Sequence, residues 1–225
     1  MKKFLTILFV LSSFSSMVYA EMGVKIGISG NLGVFEAKAV ETENNDKSPK
    51  ESAMGVFGYG SIFAEKTLGS RFAVGLDYVP VAIESETIDE SRTDQLLDAT
   101  ANAVTQKVQV DFEHLTTIYG LFNVTENLYV KAGMSQVDVV TNETLGTGSK
   151  YGNASLDGIM YGVGYDRAFG DGMFFRVEGN VMQFDSHTFT SSAKGPDGAA
   201  AKTFNKVTVD EFNGASAKIS IGKTF

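Results

Sequence analysis

The stretch that most limits what this chain can become is residues 214–225, reading GASAKISIGKTF. Ala215, Ala217, Ile219, Ile221 and Phe225 stand at alternate positions and are apolar. Ser216, Lys218, Ser220, Gly222 and Thr224, between them, are small or polar. Successive side chains of a β-strand point to opposite faces, so this pattern predicts a strand with one greasy and one polar face.

The same period recurs along the chain. Val24, Ile26 and Ile28 alternate with Lys25, Gly27 and Ser29. Residues 53–64 place Phe57, Tyr59 and Phe63 on one face and Gly58 and Gly60 on the other. Phe72, Val74, Leu76 and Tyr78 form the next apolar face, and Pro80 ends it because proline cannot donate to a ladder. Leu128, Val130, Ala132 and Met134 form another, and so do Ile159, Tyr161, Val163 and Tyr165, then Phe175, Val177 and Val181.

One strand, beginning near Lys107, changes parity. Val108, Val110 and Phe112 alternate, but beyond His114 the better apolar face is Leu115, Thr117, Tyr119 and Leu121. Either a bulge near His114 or an outer segment above a membrane accounts for this.

Eight strands result, and the connections between them alternate long and short. Residues 38–52, 81–105, 141–155 and 190–205 read as long solvated loops; within 81–105, Leu96, Leu97, Ala101 and Val104 allow one or two amphipathic helical turns. Residues 66–70 and 123–127 are short turns, and Gly170-Asp171-Gly172 is a tight hairpin signal. All long loops therefore fall on one rim, and all short turns on the other.

The amino terminus has its own signature. Lys2 and Lys3 precede the apolar run of residues 4–10, and small residues lead to Val18-Tyr19-Ala20. This reads as a cleaved secretory signal peptide over residues 1–20, leaving 21–225 as a single domain. The chain has no cysteine, so no disulfide framework supports it, and its formal charge of −8 argues against nucleic-acid binding.

The terminal strand resembles that of bacterial outer-membrane β-barrels, which close on a terminal Phe after alternating apolar residues. The resemblance implies that Ile219, Ile221 and Phe225 form the signal read by the barrel-insertion machinery. Lys223 departs from the pattern and is read as a snorkelling side chain. As a whole the chain resembles the small outer-membrane barrel family that includes the OmpA membrane domain and OmpX. That implies an all-β fold: an eight-stranded antiparallel up-and-down transmembrane β-barrel with short periplasmic turns and long extracellular loops.

A soluble ligand carrier also has eight strands, with the apolar face inward. Apolar-out is favoured by aromatics toward strand ends (Phe72, Tyr78, Tyr165, Phe175, Phe225), by few charges among many glycines on the opposite faces, and by the lack of the early Gly-x-Trp element of the soluble lipocalin carriers, the chain having no Trp at all. The inward candidates are Lys25, Lys131, Arg176 and Lys218 against Asp77, Asp166 and Glu178. They predict a lumen plugged by ion pairs, since eight strands leave only enough room for side chains and buried charges are costly unless paired.

No catalytic site, metal site or cofactor is expected. In a strand Ser186 points away from Asp185 and His187, so these cannot form a relay by themselves. The acidic loops, with Glu41, Glu43 and Asp46 and then residues 84–98, lack the regular spacing of a calcium cage. The expectation is a non-enzymatic structural protein of the outer membrane, contacting its lipid and lipopolysaccharide and presenting loops for surface contact. The alternative is a narrow porin-like conduit for small solutes or ions.

Overall fold

The computed structural model describes residues 23–43, 46–48, 50–95, 101–146, 148–194 and 204–225. The expected signal peptide, together with Leu96 and Leu97, lies outside them.

The strands are β1 (Val24–Glu43), β2 (Asp46–Lys47), β3 (Glu51–Leu68), β4 (Phe72–Tyr78), β5 (Ile83–Glu84), β6 (Ile88–Gln95), β7 (Ala101–Asn123), β8 (Leu128–Leu145), β9 (Ala154–Ala168), β10 (Met173–Phe184), β11 (His187–Lys194) and β12 (Phe204–Thr224). They form one antiparallel sheet whose wall is a ring of eight: β1, β3, β4, β7, β8, β9, β10, β12. The ring closes because β12 pairs back onto β1, from Lys25 opposite Thr224 to Thr42 opposite Lys206. At the seam the Val24 N–H donates to the Phe225 carbonyl at 3.1 Å, and the Phe225 N–H donates to the Val24 carbonyl at 2.8 Å. Closure lets the wall satisfy its own backbone groups, which hydrocarbon cannot do.

Ile219 is 67% exposed, Val163 58% and Val177 46%, while Lys218 is 5% and Arg176 2% exposed. The greasy side of the sheet faces out and the polar side faces the bore. A soluble carrier has the opposite arrangement, so the exterior is that of a transmembrane barrel.

The tight turn forms at residues 170–172. Phe169 N–H donates to Met173 O at 2.8 Å and Met173 N–H to Gly170 O at 2.9 Å. Gly170, Asp171 and Gly172 have φ of 50°, 39° and 78°. Glycine adopts this left-handed region without the Cβ clash other residues meet.

The bulge at His114 is real. Glu113 pairs with Asp138 but Thr116 pairs with Gln136, so β7 carries one extra residue, and His114 has φ 54°. The inserted residue keeps both Phe112 and Leu115 turned toward the bore, which strict alternation forbids.

Three expectations are corrected. First, much of residues 38–52 and 81–105 is strand rather than loop or helix. β1 runs to Glu43, β3 starts at Glu51, and β6 pairs with β7 from Ile88 opposite Val108 to Gln95 opposite Ala101, with Val104 in the same ladder. Above the membrane both faces meet water, so a hydrogen-bonded ladder persists without an apolar period to betray it.

Second, Phe57, Tyr59 and Phe63 point into the bore, and Met54, Val56 and Ile62 are the exposed residues of β3. Third, Leu115, Thr117, Tyr119 and Leu121 also point inward. Toward the long hairpins the bore is filled with aromatic and aliphatic side chains, and toward the short turns rings such as Phe63 and Tyr119 lie against buried cations, so on these strands the stronger apolar face is not the lipid face.

The wall is thinnest at one place. Above the pair Ile62–Tyr78, β3 pairs only with β1. β4 has stopped, Pro80 follows, and β5 and β6 pair with β7 instead.

Candidate functional site

The bore holds two layers. The layer near the short turns is charged. Arg176, on β10, is wholly buried and grips Glu65 of β3 with both terminal nitrogens: Nη1 donates to Oε1 at 2.5 Å and Nη2 to Oε2 at 2.8 Å. Nη2 also donates to Asp166 Oδ2 at 3.0 Å, and Lys25 Nζ donates to the same oxygen at 2.6 Å. The Tyr119 hydroxyl donates to Glu65 Oε1 at 2.7 Å. Phe63, Tyr129 and Phe174 present their rings to the guanidinium, with centroids 5.1, 5.1 and 5.4 Å away. Such stacking suits the planar, weakly hydrated guanidinium.

Deeper in, Lys131 Nζ lies 2.6 Å from Glu178 Oε1 and 4.6 Å from the centre of the Tyr119 ring. Lys218 pairs with Asp77. Most of these links cross the bore. Going round the ring, β10 and β3, β12 and β4, and β1 and β9 each stand three strands apart. Small hydroxyls fill the space between: Ser29 bonds Ser220 at 2.9 Å and Thr117 bonds Ser135 at 2.8 Å.

All seven charged residues singled out from the sequence lie on the inward face, and each is in an ion pair. Glu65 was missed. It lies one position beyond the expected strand end at residue 64, but it shares the parity of Ser61 and Phe63. Extending that parity through the turn would have found it. With Glu65 the layer holds four cations (Lys25, Lys131, Arg176, Lys218) and four acids (Glu65, Asp77, Asp166, Glu178).

The outer layer is apolar. Phe212 stacks on Phe184 at 4.9 Å, on Phe112 at 5.1 Å and on Phe35 at 5.9 Å, and Phe57 tilts against Phe35 at 5.9 Å. Val79, Leu115, Met160 and Met182 pack beneath these rings. A small cavity separates the two layers, bounded by Asn31, Asn180, Lys131, Lys218 and Ser216.

The remaining candidates lie outside this core. Asp185 and Ser186 are exposed between β10 and β11, and the His187 ring packs edge-on to Phe189 at 4.8 Å. His114 Nδ1 is 3.3 Å from Asp138 Oδ2. Among the described residues no three His, Cys, Asp or Glu side chains are grouped to hold a metal ion. Ile219, Ile221 and Phe225 face outward beside the seam.

On the outer hairpins, Glu211 accepts from Lys38 at 2.8 Å and from Lys50 at 2.9 Å. These two ammonium groups hold its carboxyl far below the ordinary carboxylate range, at about 2.

A closed antiparallel ring, apolar outside and filled by ion pairs and packed rings within, defines the class: a small outer-membrane-type β-barrel. Solved structures share the fold. The outer membrane protein OprG of Pseudomonas aeruginosa matches 93% of this chain and 99% of its own at 13% identity, with a TM-score of 0.51. The outer membrane protease OmpT of Escherichia coli matches 94% of this chain and 99% of its own at 8% identity, also with a TM-score of 0.51. At these identities the likeness is one of fold. No protein-family model matches the sequence, and no curated protein sequence matches it.

Proposed function

We propose that this chain is a structural protein of the outer membrane: a closed staple whose wall binds lipid and whose four hairpins face the outside for surface contact. The observation that carries this is the double plug. A matched set of buried ion pairs crosses the bore, and stacked phenylalanines fill it above. A water-filled path would need both layers to move, and a buried charge left without its partner is costly. In this reading residues 1–20 direct export and are removed, Ile219, Ile221 and Phe225 are read by the insertion machinery, and lipid and lipopolysaccharide surround the wall. It assigns no catalysis and no cofactor; Asp185, Ser186 and His187 form part of a polar rim.

The conduit reading makes a different forecast in one measurement. Reconstituted into a planar bilayer, the plugged barrel shows no steady single-channel openings. Openings in the wild type whose size changes with Lys131→Ala or Glu178→Ala would replace the structural reading with the conduit.

A further inference from the structure

Among the described residues the lipid-facing side of the short-turn rim carries charge of one sign. Lys66 on β3, Lys223 on β12 and Arg167 on β9 are exposed and share their faces with Ile62, Ile221 and Tyr165. Round the wall the order is β3, β1, β12, β10, β9, so one cation stands on every second strand of a continuous arc. Lys66 lies opposite Val24, Lys223 opposite Ile26 and Met173, and Arg167 opposite Phe175. With strands about 4.8 Å apart, neighbouring cations are roughly 10 Å apart across the wall, a gap two long side chains can close on one phosphate.

These three differ from the cations of the bore and from Lys38 on the opposite rim. Every lumen cation has an acid against it, and Lys38 at the opposite rim has Glu36 and Glu211. Among the described residues Lys66, Arg167 and Lys223 have no ion-pair partner, and Lys223 rests 5.5 Å over the Phe225 ring. Among the described residues no acidic side chain occupies a lipid-facing position at this rim; Glu126 and Asp171 are in the turns, as is Arg71. The rest of the rim is apolar, with Phe72 and Phe122 in contact at 5.1 Å.

We propose that Lys66, Lys223 and Arg167 form a binding arc for the phosphate of an anionic phospholipid in the periplasmic leaflet. The proposal rests on the outer-membrane reading, which puts the short turns on the periplasmic side. Lysine stems lie along the apolar wall and bring their ammonium groups to headgroup depth, and the arginine fork takes two phosphate oxygens. A zwitterionic headgroup brings its own cation to the arc and gains less.

The full chain is reconstituted in vesicles containing brominated phosphatidylglycerol or brominated phosphatidylcholine, and quenching of its tyrosine fluorescence is measured. The chain has no Trp, and Tyr165 lies two positions from Arg167 on the same face. The wild type should favour phosphatidylglycerol by roughly fivefold or more. Molar salt and the triple change Lys66→Gln, Arg167→Gln, Lys223→Gln should each bring the ratio near one, and Arg167→Lys should keep most of it. Equal association in the inserted wild type, or a preference that survives the triple change, overturns the proposal alone; failure to insert overturns the membrane reading with it. If the triple variant does not fold, Arg167→Gln and the salt dependence of the wild type decide.

Discussion

Arg176 and Glu65 are 111 positions apart in the sequence and meet as a two-bond fork inside the bore. The fork ties β10 to β3 across the ring, so it forms only when the sheet has closed. It acts as a bolt: the ladder sets the curvature of the wall, and the bolt fixes its opposite sides.

Removing one half of this pair should cost more than removing both. Glu65→Gln leaves the guanidinium with Asp166 alone and should lower unfolding stability by about 3–5 kcal/mol. The double change Glu65→Gln, Arg176→Met should recover part of that loss. Urea unfolding in detergent micelles, followed by the gel mobility of the folded barrel, measures both; equal losses in the two variants would mean that the guanidinium left without Glu65 carries no penalty of its own.

The aromatic layer should behave as a packed core. Phe212 touches Phe35, Phe112 and Phe184, so Phe212→Ala leaves a hole that three rings cannot fill. The expected loss is about 3–5 kcal/mol in the same assay. A loss below about 1 kcal/mol would show that the layer is loosely filled.

Acid should loosen the outer hairpins late. Glu211 is held at about 2, below the ordinary 4.5, by Lys38 and Lys50. Because the folded value is the depressed one, the contact contributes fully above about pH 4.5 and is lost as the pH falls through about 2. Carboxyl titration by NMR should report this midpoint, and replacing Lys38 and Lys50 with Met should move it up toward 4.5.

The thin part of the wall should open first. In the outer half of β3, alternate amides face away from β1 and have no ladder partner there. Hydrogen exchange should be fast at those amides and slow in the paired stretch from Ile62 to Leu68. Uniform protection along β3 would show a partner for that edge.

Reading Ile219, Ile221 and Phe225 as the insertion signal separates two routes of assembly. Phe225→Ala should slow assembly several-fold in liposomes containing the insertion machinery and change detergent refolding little. An equal effect on both would assign Phe225 to the seam with Val24 alone.

The sequence by itself determined the strand period, the tight turn at Gly170–Gly172, the lipid faces of Met134, Tyr161, Val177 and Ile219, and most of the charges in the bore. Those features are local: a strand with lipid on one side and charge on the other writes its period directly into neighbouring residues. Only the tertiary structure decided where Phe63 and Tyr119 point, because inside the bore their rings lie against the buried cations Arg176 and Lys131, and an apolar ring in that place carries the same pattern as one facing lipid. It alone also supplied the partner of each charge, since contacts across a closed ring join strands that no spacing along the chain relates.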